Sequence, residues 1–119
     1  MLLNYAKRNT ALWLAGSTTE VPGYFMIGSG SGTAIASQTT LIYPLDRQAV
    51  TSTNSNTLYK ITWQGDWNSV EMSGLNLSEF GMTVNGTGSA GSMWSRTSTP
   101  NINFDGTNEL QIQEIWEGY

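Results

Sequence analysis

Short runs in which hydrophobic and polar residues alternate with a period of two recur along this chain, and its opening follows a different rhythm. There the spacing is helical. Asn4 is suited to an N-cap, and Tyr5, Leu12 and Trp13 stand at i, i+7 and i+8 with Ala6 beside them. Gly16 is placed for the left-handed residue just past a helix end. This is an amphipathic helix that docks on its own domain or on a neighbouring subunit. Leu2, Leu3, Leu12, Trp13 and Leu14 cannot all point one way, so the helix presents apolar side chains on more than one face.

After Gly16 the runs shorten. Tyr24-Phe25-Met26-Ile27 is a continuous apolar stretch before a glycine cluster and reads as a buried strand. Leu58 to Trp63 puts Tyr59, Ile61 and Trp63 on one face and Lys60 and Thr62 on the other. Leu75–Ser78, Ile102–Phe104 and Leu110–Gln113 alternate in the same way. Such alternation marks antiparallel sheet with one wetted face. Turn residues separate the runs: Asn54-Ser55-Asn56, Asn85-Gly86 and Asp105-Gly106, the last standing between two alternating runs as a hairpin signal. The expected fold is mainly β: a small antiparallel β-sandwich or sheet of six or seven short strands with one N-terminal α-helix, forming a single domain over residues 1–119.

Composition narrows the chemistry. The 119 residues include no Cys and no His, which excludes thiolate nucleophiles, zinc–sulfur sites, disulfides and histidine-based acid–base catalysis. The net charge is −4, and the five basic residues, Lys7, Arg8, Arg47, Lys60 and Arg96, are scattered. No basic stripe exists to neutralise phosphates, so nucleic acid is not an expected partner. No apolar run approaches the length of a bilayer-spanning helix, so a membrane is not an expected partner either. Gly28-Ser29-Gly30-Ser31-Gly32 lacks the Lys of a phosphate-binding loop and reads as a tightly turned or flexible loop. The Gly-, Ser- and Thr-rich stretch from Asn85 to Gly91 reads as a second loop. The nine carboxylates show neither metal-loop spacing nor a distinguishable catalytic pair. No enzyme activity, cofactor or metal is expected.

Two sets of residues stand out. Glu79 follows one alternating run and Arg96 follows Met93-Trp94 beyond the glycine loop, so adjacent strands would bring the two into a partly buried structural ion pair. Trp63 and Trp94 fall on apolar faces and are expected in the core, whereas Trp67, in Gly65-Asp66-Trp67-Asn68, is expected at the surface.

Taken together, several segments resemble a known pattern: the short N-terminal helix, Tyr24 to Gly32, Leu45 to Val50, Ser78-Glu79-Phe80-Gly81, Met93 to Arg96, and Phe104 to Ile112. They look like small structural proteins of tailed bacteriophages and are similar to the N-terminal domain of phage tail-collar fibre proteins. Gly28 and Gly30 match that family's strand-and-turn, Arg47 its arginine, and Glu79 with Gly81 its "E-x-G". The resemblance implies a non-catalytic virion component, assembled in the bacterial cytoplasm, that attaches fibres or links rings in the tail, neck or baseplate. A capsid cement protein is the alternative within the virion, and a carbohydrate-binding module the alternative from another class. Low charge with five Trp and five Met suits repeated subunit contacts, so the expected partners are copies of itself and other phage tail, neck or fibre proteins. The candidate contact residues are Leu2, Leu3, Trp13 and Leu14 on the helical segment and Gly28, Gly30 and Gly32 on the glycine loop. Trp67 is a further candidate, with Trp116 and Tyr119 on the last run, which can pair with another subunit if it lies at a sheet edge.

Overall fold

The helical opening folds as α1 (Asn4–Leu14). Its first backbone bond runs from Lys7 N–H to the Leu3 carbonyl at 3.2 Å, so Leu3 rather than Asn4 holds the cap position. Gly16 lies just beyond the end with φ +76°. The face turned inward carries Leu3, Ala6 and Asn9, all buried, while Tyr5 and Leu12 are half-buried. Asn9 is tolerated there because its Nδ2 donates to the Tyr5 carbonyl at 2.9 Å. Leu14 is 74% exposed.

This computed structural model describes residues 1–16, 22–55, 60–84 and 93–117, the side chains of Trp13 and Glu117 excepted. Leu58, Tyr59, the whole Asn85–Gly91 loop and Tyr119 therefore lie outside the described residues, as does the side chain of Trp13.

Among the described residues seven strands form two antiparallel sheets. They are β1 (Tyr24–Gly28), β2 (Pro44–Ala49), β3 (Ser52–Asn54), β4 (Lys60–Trp67), β5 (Asn76–Thr83), β6 (Thr97–Asn103) and β7 (Leu110–Glu117). The first sheet has the order β2-β1-β5-β6 and the second β3-β4-β7. A single helical turn, α2 (Ser69–Met72), joins β4 to β5; Asn68 and Glu71 cap each other's backbone N–H groups at its start.

The sheets pack face to face as a sandwich. Phe25 and Ile27 from β1, Leu77 and Met82 from β5, Trp63 and Trp67 from β4 and Ile112 from β7 meet in one buried cluster with Met72, Trp94 and Phe104. Gly65 lies opposite the Phe25 ring, which occupies the space a Cβ would need. The outer face of the second sheet is polar: Gln64, Asp66, Gln111 and Gln113 hydrogen-bond across strands there. The first sheet is instead covered on both faces. Met26, on the side of β1 away from the sandwich core, joins Leu3, Leu41 and Met93 in a second buried cluster. That is why β1 reads as a continuous apolar run rather than an alternating one.

Three expectations need correction. Asp105-Gly106 does not turn a hairpin: β6 pairs with β5, and β7 pairs with β4 in the other sheet. Phe104 still exchanges bonds with Gly74 and Leu75, and the chain leaves that sheet only afterwards. Asp105 Oδ1 then accepts from Thr107 N–H at 3.0 Å, and Gly106 has φ +94°. Ile102, expected on an apolar face, is 45% exposed, because β6 is an edge strand whose register shifts opposite Leu77–Glu79 around Pro100. Trp67 is not at the surface. It is 1% exposed, since Gly65-Asp66 continues β4 instead of turning, and its Nε1 donates to Asp46 Oδ2 at 3.0 Å.

Candidate functional site

Glu79 and Arg96 meet on the outer side of the first sheet. Glu79 stands on β5 beside Gly28 of β1, and Arg96 lies immediately before β6. Arg96 Nε donates to Glu79 Oε1 at 3.0 Å, and neither side chain is exposed at all. The carboxylate also collects three backbone donors. Gly30 N–H and Tyr43 N–H reach Oε2 at 2.9 and 2.7 Å, and Ile42 N–H reaches Oε1 at 2.8 Å. Burial pushes this carboxyl up. The donors from Tyr43, Ile42, Arg96 and Gly30 together outweigh burial and hold it below the usual glutamate range.

Those donors all belong to the β1–β2 connection or to Arg96, so the pair works as a latch. Arg96 Nη1 adds bonds to the Gly32 carbonyl (3.1 Å) and Gln38 Oε1 (3.4 Å) on the same connection. Asn4 N–H reaches the Ala36 carbonyl at 2.7 Å, tying α1 to it as well. The glycines leave room for the carboxylate. A Cβ on Gly28 would stand 2.7 Å from Glu79 Oε2 and 2.6 Å from the Tyr43 carbonyl, and one on Gly30 would collide with Glu79 Oε2 and the Ile42 side chain. On the neighbouring strand position, a Cβ on Gly81 would strike the Ser95 carbonyl.

The candidate contact residues divide accordingly. Leu3, Gly28, Gly30 and Trp67 are buried within the chain and cannot meet a partner; the close approach that the glycine loop permits is made by Glu79 and Tyr43 of the same molecule. Leu14 and Gly32 are exposed. Leu2 and Trp116 line a cavity.

That cavity, about 270 Å³, lies between the inner face of the β4–β7 pair and the first residues of the chain. Trp63, Trp94 and Trp116 supply indole walls, with Met1, Leu2, Glu114 and Ile115 completing the lining. The register sets Glu114 directly across from Trp63 and Trp116 across from Ile61. Met1 is held in place by two bonds to Arg96, its ammonium to the Arg96 carbonyl and its carbonyl from Arg96 N–H, each 3.0 Å. Burial pushes the Glu114 carboxyl up, and the Ser95 hydroxyl and the terminal ammonium draw it partway back. Glu114 was not among the candidate residues. Its signal lay in the alternation: Leu110, Ile112 and Trp116 are apolar at every second position, and Glu114 occupies the same phase.

Among the described residues no cluster of carboxylates is placed to hold a metal ion. Comparison with protein-family models, with curated proteins and with solved structures returns no match to this chain.

Proposed function

We propose that the chain is a non-enzymatic structural protein of a tailed-phage particle. In this reading it is a tail, neck or baseplate adaptor whose copies pack together and hold a fibre or an adjoining ring. The observation that carries this reading is the open edge of β7. Among the described residues β7 pairs with β4 alone, over an unbroken register from Leu110 to Glu117. It has no Lys, Pro or bulge, three of the devices by which edge strands avoid pairing with another chain; its charges are Glu117 and Glu114, the latter on the inner face. A long and regular edge suits strand addition between subunits. The residues behind the phage resemblance support the reading in a second way. Gly28, Gly30 and Glu79 form one packed unit with Gly81 beside it, so the short motif is a device for fixing a loop on a sheet.

The test combines light scattering with imaging. The wild-type protein is expected to associate at micromolar concentration. Gln111→Lys with Gln113→Lys, both exposed on β7, is expected to abolish association while leaving the melting temperature within a few degrees. A label on the protein in assembled particles is expected at the tail. A monomeric wild type, or a Lys variant that assembles as before, overturns the edge-pairing mechanism; labels spread over the head assign the protein to capsid cement.

A further inference from the structure

The register of the second sheet shows which main-chain groups β7 turns to its open edge. The Gln64 carbonyl accepts from Thr51 N–H at 2.8 Å, so Gln64 directs its main-chain groups toward β3. Along a strand those groups face one neighbour and then the other, residue by residue. Trp63 and Gly65 therefore face β7, where they oppose Glu114 and Ile112. Gln111, Gln113 and Ile115 consequently point N–H and C=O away from β4. The other edges of the two sheets are blunted. β3 has three residues, β2 begins with Pro44 and carries Asp46 and Arg47, and β6 contains Pro100 at a shift of register. Apolar surface adjoins β7 as well: Ile115, Met1 and Leu2, all exposed, line the same cavity.

We infer that β7 pairs antiparallel with β7 of a second copy about a two-fold axis at Gln113, joining two three-stranded sheets into one. This pairing rests on the edge that carries the adaptor reading and adds its occupant and register. A neighbouring copy offers no other long and regular edge, so β7 meets β7 and both edges are used up. Such an isologous contact closes at a dimer, whereas pairing between two different edges would run on into a fibre. The register follows from overlap and charge. A two-fold axis sets one residue opposite itself and pairs the others symmetrically about it. An axis at Ile112 leaves Trp116 opposite no strand residue, and one at Ile115 does the same to Leu110. An axis at Glu114 sets two carboxylates against each other on the inner face, and like charges directly opposed are destabilising. At Gln113 two amides meet, each able to donate and accept. Gln111 then opposes Ile115 of the second copy, Ile112 opposes Glu114, and Leu110 opposes Trp116, an apolar cross-strand pair. Glu117 comes opposite Glu109, which precedes the strand and is exposed, so like charges meet only at the two ends, where water screens them.

The chain has no cysteine, so single substitutions report the register without background. Gln111→Cys, Gln113→Cys and Ile115→Cys, all at exposed positions, are oxidised with diamide, separately and in equimolar mixtures, and resolved on non-reducing gels. Directly opposed hydrogen-bonded residues stand about 5.5 Å apart at Cα, within disulfide reach, which ends near about 7 Å. Gln113→Cys is expected to form a covalent dimer by itself. Gln111→Cys and Ile115→Cys are expected to link to each other when mixed, about tenfold faster than either links alone. Light scattering of the wild type is expected to give twice the monomer mass, with no growth at higher concentration. Self-linking of Gln111→Cys or Ile115→Cys as fast as that of Gln113→Cys overturns the inference, and so do a mass that climbs with concentration and a monomer at every concentration. A closed dimer linked at other positions refutes this register and leaves edge pairing standing. The adaptor reading is decided separately, by where the label sits on assembled particles.

Discussion

Glu79 and Arg96 form a pair whose members are unequal to their sum. Each is wholly buried, so Glu79→Gln or Arg96→Met leaves the other without its partner and is expected to cost about 3–5 kcal/mol. The double variant is expected to cost clearly less than the two singles added together. Chemical denaturation of the four proteins checks this, and a coupling within about 0.5 kcal/mol of zero removes the pairing as a source of stability. The pair was legible because charges are scarce in this chain, and two of them flank one glycine loop. What no pattern disclosed was the role of the Gly30, Ile42 and Tyr43 backbone donors, since a main-chain N–H carries no sequence signature. Trp67 was misread for a related reason. Gly65-Asp66 has the composition of a turn, yet the glycine is there to admit the Phe25 ring and the strand runs on.

At the scale of elements, period-two runs located β4, β5 and β7, and the apolar run located β1, because each is set by burial of a face. Partnership between strands was less accessible. Asp105-Gly106 supplies a tight turn whichever strand comes next, and the choice falls to β4 because Trp63 and Trp67 offer Ile112 a buried face to pack on. The covering of the first sheet's outer face was invisible for a similar reason. The segment from Ser29 to Tyr43 contains no strand or helix, and it earns its place through Leu41, which is buried with Leu3, Met26 and Met93.

For the whole molecule, two carboxylates pull stability in opposite directions with pH. Glu79 is held below the ordinary glutamate range, so its contribution is present above the unfolded value and lost as pH falls through the folded one. Glu114 is raised, so its contribution is present below the unfolded value and lost as pH rises through the folded one. Glu114→Gln is therefore expected to raise the melting temperature more at about pH 7 than at about pH 4. Glu79→Gln is expected to lower it more at the higher pH and less at the lower. Thermal melts of the three proteins across that range check both signs; a Glu114→Gln gain that grows toward acid contradicts the burial of its carboxyl.

The latch also bears on time as well as on stability. Its backbone donors lie 36 to 49 residues from Glu79 along the chain, and Arg96 reaches Gly32 across 64. Chain entropy opposes the pairing of β1 with β5 at least as strongly, since those strands lie farther apart in sequence; the donors of the connection meet Glu79 only once β1 stands beside it, so the latch closes after that pairing. An interaction absent from the folding transition state has a φ-value near zero and acts on the reverse rate. Stopped-flow measurement of Glu79→Gln is thus expected to show a folding rate close to that of the wild type and unfolding accelerated by most of the lost stability. The native molecule would owe its lifetime, more than its speed of formation, to a loop clasped over the back of a finished sheet.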